Sequence, residues 1–334
     1  MALEGFDLTN DFGNAAAEAR ACRMDCALFD FSCLECVRLD GKRARDVIEA
    51  FTGRSLEALV EREICYALRI GPAGEAIADL TVWRTGPDSF EVMSGRREDV
   101  ADLLACAGPG LGVTNITADR ATFAVQGPGT LEALRRLGDI GPIAPLKYFS
   151  FARANLTGVS CTIGRLGYTG EAGFEIIVQR AHASDLWNAL SAHACPAGFV
   201  AADMLRVEAG FILFTNELRL PVWPREARAG KSYQAAAAPK PEITRVSLRA
   251  DADPLRWPWR PLRDPQRPTT PGTIVVTSAC DSVMAGGILG LGYVLATTTA
   301  TTALHDPTGT FRNVRLTPMP FYDTDKRRPG ARWR

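Results

Sequence analysis

The stretch LGYTGEAGFEIIV, residues Leu166 to Val178, predicts a tight glycine-rich turn that leads into a β-strand. Phe174, Ile176 and Val178 occur at every second position, so their side chains fall on one face of the strand. Glu175 falls on the other face. Two interpretations of this acid are open: it is a solvent-facing residue on an edge hairpin, or it is a carboxylate that a ligand requires.

The length and the charge of this sequence are typical of an ordinary globular protein. The sequence has 334 residues, 46% of them hydrophobic, and 38 basic side chains balance 38 acidic ones. A chain of this length is expected to form two or three domains. Nucleic acids and anionic membrane surfaces are recognised through concentrated positive charge, so the neutral balance argues against both as partners.

The N-terminal residues 1–20 carry no targeting signal that we recognise. They lack the basic start and the apolar run of a secretory signal, and no later stretch stays apolar for the roughly 18 residues typical of a membrane span. The sequence therefore predicts a cytoplasmic protein that does not associate with membranes.

Two of the nine cysteines, Cys33 and Cys36, form a C-x-x-C pair. This pattern is used by zinc and redox sites, but such sites need further ligands at suitable spacing. The three histidines, His182, His193 and His305, are all far away in the sequence. We therefore interpret the pair as reduced thiols in a core, and we predict no metal site.

Strand and helix patterns alternate along the first half of the chain. Helical spacing covers residues 13–26, 42–51 and 96–106, whereas residues 28–39 and several later stretches have the pattern of strands. Strand-strand-helix units in this order favour a mixed α+β architecture over a doubly wound parallel sheet.

The amino-acid composition changes from Lys231 to about Pro271, where prolines are frequent. Prolines at this density exclude a helix and a central strand, so we predict a connection with extended pieces, in which Trp257 and Trp259 fill a groove between domains. The later segments TIVVTSAC, GGILGLGYVLA and FRNVRLTPMPFYD predict short strands of a small β-barrel or sandwich.

Four segments together resemble one known family. LGYTGEAGFEIIV, ADMLRVEAGFILF, FAVQGPG and PMPFYD occur in the order and at the separations found in folate-dependent aminomethyltransferases. That family includes the T-protein of the glycine cleavage system, the folate domains of sarcosine and dimethylglycine dehydrogenases, and tetrahydrofolate-dependent demethylases. The resemblance covers about residues 21–323.

The resemblance implies an α+β fold with three domains in a cloverleaf-like arrangement. The first would be a discontinuous folate-binding domain of residues 1–40 and 135–228, and the second an α+β domain of residues 41–134. The third would be a C-terminal β-barrel or jelly-roll domain of residues 229–334.

The resemblance also implies tetrahydrofolate as cofactor. It implies that Glu175 binds the pterin ring of this cofactor. A carboxylate offers two acceptors to the ring N–H and the amino group that a pterin presents side by side. Tyr168 would pack beside this ring, or else be a core aromatic with a capped hydroxyl. Arg206 would hold an anionic group, or else belong to a solvated helix face with internal ion pairs. Ser94 would touch the ligand, or else form a turn or cap.

Two positions depart from the family pattern. Many members carry two successive acids where this chain reads AIADLTVW, and here Ala78 occupies the first position while Asp79 is kept. Because strand side chains alternate, Asp79 points away from the face of Ala78, and we expect that it cannot simply replace the missing acid. Phe214 stands where members commonly have a tyrosine.

The missing acid favours methyl transfer, because alignment of N5 of folate with a methyl group needs no acid-base residue. We therefore predict a tetrahydrofolate-dependent methyltransferase, or demethylase, that acts on an O-, S- or N-methyl small-molecule donor. One alternative is an aminomethyltransferase of the glycine cleavage type, which needs a lipoyl carrier protein as partner. Another is a relative that only binds folate or performs folate-independent chemistry.

Overall fold

The structure is a computed structural model, and it describes residues 8–229, 240–252, 261–325 and 327–331. The chain divides into two compact units. The first unit consists of three stretches, Met1–Ala67, Leu80–Ala202 and Lys326–Arg334. The second consists of Leu68–Asp79 and Asp203–Asp325.

The helices of the described residues are short. They are α1 (Ala15–Met24), α2 (Ala44–Thr52), α3 (Arg97–Leu104), α4 (Thr130–Arg135), α5 (Ala183–Ser191), α6 (Phe199–Ala209) and α7 (Phe214–Glu217). The strands are β1 (Ala27–Asp30), β2 (Glu35–Asp40), β3 (Ile64–Ile70), β4 (Ala76–Gly86), β5 (Ser89–Ser94), β6 (Gly112–Asn115), β7 (Arg120–Gln126), β8 (Phe151–Leu156), β9 (Val159–Gly164), β10 (Gly173–Gln179), β11 (Cys195–Pro196), β12 (Ile243–Ala252), β13 (Val275–Asp281), β14 (Ile288–Leu295) and β15 (Phe311–Thr317). Among the described residues, none of the helices has the length and apolar character needed to cross a bilayer.

Local sequence accounts for the ends of the helices. Asn14 caps α1, because its side-chain oxygen accepts a hydrogen bond from the amide of Ala17 at 3.0 Å. Gly53 ends α2 in the left-handed conformation, with φ +63°, and its N–H donates to the carbonyl of Glu49.

The first sheet has the strand order β11-β1-β7-β10-β9-β8 and is antiparallel except for the pair β1 and β11. Strand β10, which carries the motif, lies between β7 and β9 and is therefore not an edge strand. Its residues Phe174, Ile176 and Val178 belong to a buried cluster that includes Leu134 of α4 and Leu186 of α5.

The second sheet has the order β3-β4-β5-β2-β6, and one of its faces packs on α2 and α3. In the first unit, its other face meets the first sheet in an apolar cluster, which we call the inter-sheet layer. This layer contains Trp83 of β4, Phe151 of β8 and Ile177 of β10. The rings of Trp83 and Phe151 have centroids 5.2 Å apart. Strand β10 is therefore buried on both faces.

The third sheet has the antiparallel order β13-β14-β12-β15, and it lies in the second unit. Leu248 and Val294 belong to its core, and Leu289 and Leu291 pack with Val207 of α6. Strand β12 falls inside the segment that we predict as a connection, so a segment bounded by prolines forms an inner strand of this sheet. Trp257 and Trp259 lie outside the described residues.

The predicted α+β class with a β-rich C-terminal domain is confirmed. The sheets divide the chain at other points than the predicted boundaries. Residues 28–39 are not one strand: a turn between β1 and β2, in which the amide of Ser32 donates to Asp30 at 2.9 Å, takes the chain from the first sheet to the second. Strand β7, predicted in the domain of residues 41–134, pairs with β1 and β10 of the first sheet.

Candidate functional site

The motif loop, Leu166–Gly173, is folded around the side chain of Gln126, the last residue of β7. This amide is fully buried, donates to the first carbonyl of the loop at 3.0 Å, and accepts from the hydroxyl of Thr169 at 3.1 Å. Gly167 and Gly173 lie so close to the amide that an added Cβ would come within 1.8 and 2.6 Å of it. Gln126 was not among the residues predicted from the sequence, although a polar residue that ends the apolar pattern of FAVQ was a usable signal.

The first glutamate of the motif, Glu171, has internal partners. Arg23 of α1 donates to Glu171 at 3.1 Å and to the carbonyl of Thr169 at 2.8 Å, and both side chains are buried. Arg328 approaches the other oxygen of Glu171 at 3.4 Å. The charge of Glu171 is therefore used to hold the loop.

The second glutamate, Glu175, differs from the first. Its side chain is buried, with 7% exposure, in the middle of the first sheet, so the interpretation as a solvent-facing residue on an edge hairpin is wrong. None of the described residues gives its carboxylate a hydrogen bond or an ion pair. Because burial disfavours the charged form, the pKa of Glu175 is raised from 4.5 to about 7.

The strand neighbours of Glu175 are small. Ala124 of β7 and Gly164 of β9 lie directly opposite it. The indole of Trp83 covers Gly164 so closely that a Cβ there would come within 2.3 Å of the ring. On the side of β9, the indole of Trp83 therefore covers the strand next to Glu175. On the side of β7, Ala124 presents only a methyl group.

Tyr168 and Ser94 also lie in the first unit. Tyr168 is half-buried in the motif loop. Ser94 is buried, donates to a carboxylate oxygen of Asp99 at 2.7 Å and accepts from the amide of Arg96 at 3.1 Å. This is the geometry of a turn that leads into α3. Contact of Tyr168 or Ser94 with a ligand stays a prediction.

Arg206 lies on α6 in the second unit and is completely buried, so it does not belong to a solvated helix face. Its Nη1 donates to Glu217 at 2.6 Å, its Nη2 lies 2.8 Å from Asp203, and Nη2 also donates to the hydroxyl of Ser278. The guanidinium therefore balances two carboxylates inside the second unit. A ligand role for Arg206 stays a prediction, and these contacts do not support it.

Ala78 and Asp79 alternate along β4 as predicted. Ala78 is fully buried on the face of the strand that carries the core residues Leu80 and Val82, whereas Asp79 is half-buried on the opposite face. An acid at position 78 would therefore place a charge on the core face, which is unfavourable. Which face of β4 serves the chemistry stays a prediction.

The electrostatic surroundings of Asp79 also set it apart. Burial, and to a smaller extent the charge of Glu217, raises the pKa of Asp79 from 3.8 to about 7, against the opposing effects of a backbone hydrogen bond and of the charges of Arg206 and Arg245. A carboxyl group with this pKa exchanges its proton near neutral pH, which suits acid-base chemistry.

Cys33 and Cys36 are free thiols, and burial raises the pKa of each to about 12. Within the described ranges, no group of three or more His, Cys, Asp or Glu side chains is placed to hold a metal ion. A cavity of about 720 Å³ in the first unit, near Phe12 and Trp187, is lined by none of the predicted site residues.

The pKa of Glu175 predicts that stability falls as pH rises. Between the unfolded value of 4.5 and the folded value of about 7, the folded state holds more protons than the unfolded state. The extra proton on Glu175 contributes to the free energy of unfolding. This contribution is fully present below pH 4.5 and is lost as pH rises through 7, by on the order of 3 kcal/mol. Asp79 acts in the same direction. We expect Glu175→Gln to reduce this loss in urea unfolding at pH 5 and pH 8, and an unchanged pH dependence would contradict the raised pKa.

Comparison with known proteins identifies the family. The family model described as the GCVT N-terminal domain matches residues 1–234. An aminomethyltransferase of Paraburkholderia phymatum is 36% identical over 258 residues, which are 74% of this chain and 69% of the relative. One of Chlorobaculum parvum is 33% identical over 234 residues, 67% of this chain and 64% of the relative. The chain thus matches somewhat less than two thirds of the length of the Chlorobaculum relative.

A solved structure agrees in fold. The glycine cleavage system aminomethyltransferase T from Bartonella henselae superposes with a TM-score of 0.76, covering 97% of this chain and 94% of that chain at 21% identity. The resemblance read from the four sequence segments is confirmed by these comparisons. The chain belongs to the folate-dependent aminomethyltransferase-like family defined by the GCVT N-terminal domain.

Proposed function

We propose that this protein is a tetrahydrofolate-dependent one-carbon transferase of the aminomethyl type, in which Glu175 grips the pterin ring. The observation that carries the proposal is the buried carboxylate of Glu175, for which the described residues supply no partner. A buried carboxylate that lacks a hydrogen-bond donor within the protein is costly, and such a group requires an explanation, of which completion by a ligand is one.

Tetrahydrofolate fits this acid. Its pterin ring has two adjacent donors, a ring N–H and an amino group, that match the two oxygens of one carboxylate. Each such charge-assisted hydrogen bond contributes about 1.5–3 kcal/mol. The chemistry that tetrahydrofolate supplies when bound is a nucleophilic nitrogen, N5. Glu175 would orient the ring, and Tyr168 would pack beside it.

Two observations favour the aminomethyl type over the demethylase that we predict from sequence alone. The similar relatives are named aminomethyltransferases. In addition, Asp79 lies on the face of β4 away from the core and has a pKa of about 7, so the chain keeps an acid that can exchange a proton with an amine. The partner implied is a lipoyl carrier protein that bears an aminomethyl group.

The proposal is tested by turnover with two kinds of donor. The full-length chain is incubated with tetrahydrofolate and either an aminomethyl-loaded lipoyl carrier protein or a panel of small O-, S- and N-methyl donors. We expect ammonia and a one-carbon folate from the carrier only. Methyl-folate from a methyl donor without ammonia would instead establish the demethylase. Folate binding without turnover of any donor would reject a transferase.

Asp79 is tested in the same assay. We expect Asp79→Asn to lower turnover with the carrier at least a hundredfold, because the amide cannot exchange a proton, while thermal stabilisation by tetrahydrofolate is kept. Asp88→Asn, which changes an exposed aspartate in the turn after β4, is the matched control and should turn over normally. Full activity of Asp79→Asn would remove Asp79 from the chemistry.

A further inference from the structure

The cavity near Phe12 and Trp187 is not used by the proposed function. Its volume of about 720 Å³ lies within the range of roughly 300–1,000 Å³ that is typical of small-molecule sites. The cavity is lined by the end of β1, the first half of α5, the link between β11 and α6, and the stretch 8–12 that precedes α1. All of these segments belong to the first unit.

Hydrogen bonds hold the stretch 8–12 in place beside the cavity. The buried carboxylate of Glu18 accepts from the amide of Phe12 at 2.6 Å with one oxygen and from the amide of Gly198 at 2.9 Å with the other. The amide of Phe199 donates to the carbonyl of Thr9 at 2.9 Å. The wall formed by this stretch is therefore fixed to the link between β11 and α6, and the cavity is a built part of the fold.

Aromatic residues form much of the lining. The rings of Phe12 and Trp187 are stacked, with centroids 6.1 Å apart and planes 25° apart, and the centroid of Phe123 lies 5.4 Å from that of Trp187. Phe31 and Phe199 also line the cavity. Phe12 is 51% exposed, so a flat ring bound in the cavity would remove apolar surface from water and pack on aromatic faces. The lining therefore suits an aromatic ligand.

One end of the cavity is positively charged. Arg97 and Arg180 both line it. The charge of Arg97 is partly balanced, because its Nε lies 3.4 Å from Glu35. The guanidinium of Arg180 makes no hydrogen bond or ion pair with any residue that the structure describes. Helix α5 begins beside it at Ala183 without a side-chain cap, and its N-terminus adds partial positive charge at the same end.

The acid that lines the cavity, Asp30, lies at a distance from Arg180. Asp30 is directly opposite Phe123 of β7, whereas Gln179, the residue before Arg180, is directly opposite Arg120 of β7. The two positions are thus separated by roughly 10 Å along the strands and roughly 10 Å across them. Asp30 therefore does not neutralise the end of the cavity where Arg180 lies.

We propose that this cavity binds a small aromatic carboxylate of one or two fused rings. Its ring would pack against Phe12 and Trp187, and its carboxylate would pair with Arg180. A guanidinium offers two parallel N–H donors to the two oxygens of a carboxylate, which fixes the orientation of the ligand. The site is separate from the one that contains Glu175, so its ligand would bind whether or not tetrahydrofolate does.

The test is calorimetric titration of the full chain with 1-naphthoate and with its neutral amide, 1-naphthamide. We expect the wild type to bind the acid about fivefold more tightly than the amide. Arg180→Gln should raise the dissociation constant of 1-naphthoate about fivefold, which is the upper range for an exposed ion pair, and leave that of 1-naphthamide unchanged. Ser184→Trp places an indole in the cavity from the exposed first turn of α5 and should weaken both probes at least tenfold.

The matched control is Arg153→Gln, which removes an exposed arginine of β8 that does not line the cavity, and it should bind both probes as the wild type does. Three results would each overturn the inference: no binding of 1-naphthoate to the wild type, equal affinities for acid and amide, or unchanged affinities in Ser184→Trp. A dimer that sedimentation velocity detects and that Ser184→Trp dissociates would also overturn it, because a second copy of the chain would then close the cavity. Binding of tetrahydrofolate should be the same in Arg180→Gln and the wild type, so the proposed function is tested separately.

Discussion

Replacing Glu175 by alanine is expected to abolish the thermal stabilisation of this protein by tetrahydrofolate. For the wild type, a ligand at a hundred times its dissociation constant adds about 2.7 kcal/mol to the free energy of unfolding. Loss of two charge-assisted hydrogen bonds of about 1.5–3 kcal/mol each raises the dissociation constant at least a hundredfold. At the same ligand concentration, the variant should therefore show little or no shift in melting temperature.

The stability of the ligand-free variant separates a binding role from a structural one. Glu175 is buried without a described partner, so its removal should not lower the melting temperature at pH 8, where the carboxyl group is mostly charged. The matched control is Glu171→Gln in the same motif, which weakens the buried pair with Arg23. That variant should melt at a lower temperature but keep its shift with tetrahydrofolate. Equal shifts for the wild type and Glu175→Ala would remove Glu175 from the ligand site.

Replacing Arg206 by alanine is expected to lower the free energy of unfolding by about 3–5 kcal/mol. The change leaves Glu217, whose side chain is fully buried, and Asp203 without the cation that balances them. The hydroxyl of Ser278 also loses the guanidinium as a donor. Urea unfolding at pH 7 measures the loss, and a value below 1 kcal/mol would show that the network does not stabilise the fold.

Two further variants refine this test. Arg135→Ala is an exposed control. Arg135 and Glu132 are three residues apart, as Arg206 and Asp203 are, but their pair is exposed. Its loss should change the free energy of unfolding by at most about 1 kcal/mol. Arg206→Met combined with Glu217→Leu removes both charges of the closest pair and should cost less than Arg206→Ala alone. If Arg206 instead held an anionic ligand group, Arg206→Lys would weaken ligand binding and leave stability nearly unchanged.

Local pattern was sufficient for several features. The alternation of Ala78 and Asp79 on β4 and the placement of Phe174, Ile176 and Val178 on one face of β10 follow from the two-residue period of a strand. The α+β class follows from the order of strand and helix patterns. These features depend on neighbours in the sequence, so a single sequence carries them.

Other features were missed because they depend on contacts between distant segments. The pattern of β10 did not reveal whether the strand lies at an edge or in the middle of its sheet, and that order decides whether Glu175 is exposed or buried. The sequence also did not indicate which face of β4 meets the core.

By itself, the sequence determined the family, the mixed α+β class and the presence of an acid at position 175 in a strand. These features depend on motifs and periodicities, which are properties of residues close together in the sequence. Only the tertiary structure decided which charges have partners. Glu171 and Arg206 are balanced by residues brought to them by folding, whereas Glu175 has no such partner among the described residues. The physical reason is that the cost of a buried charge depends on what surrounds it in space, and most of those surroundings come from other parts of the chain.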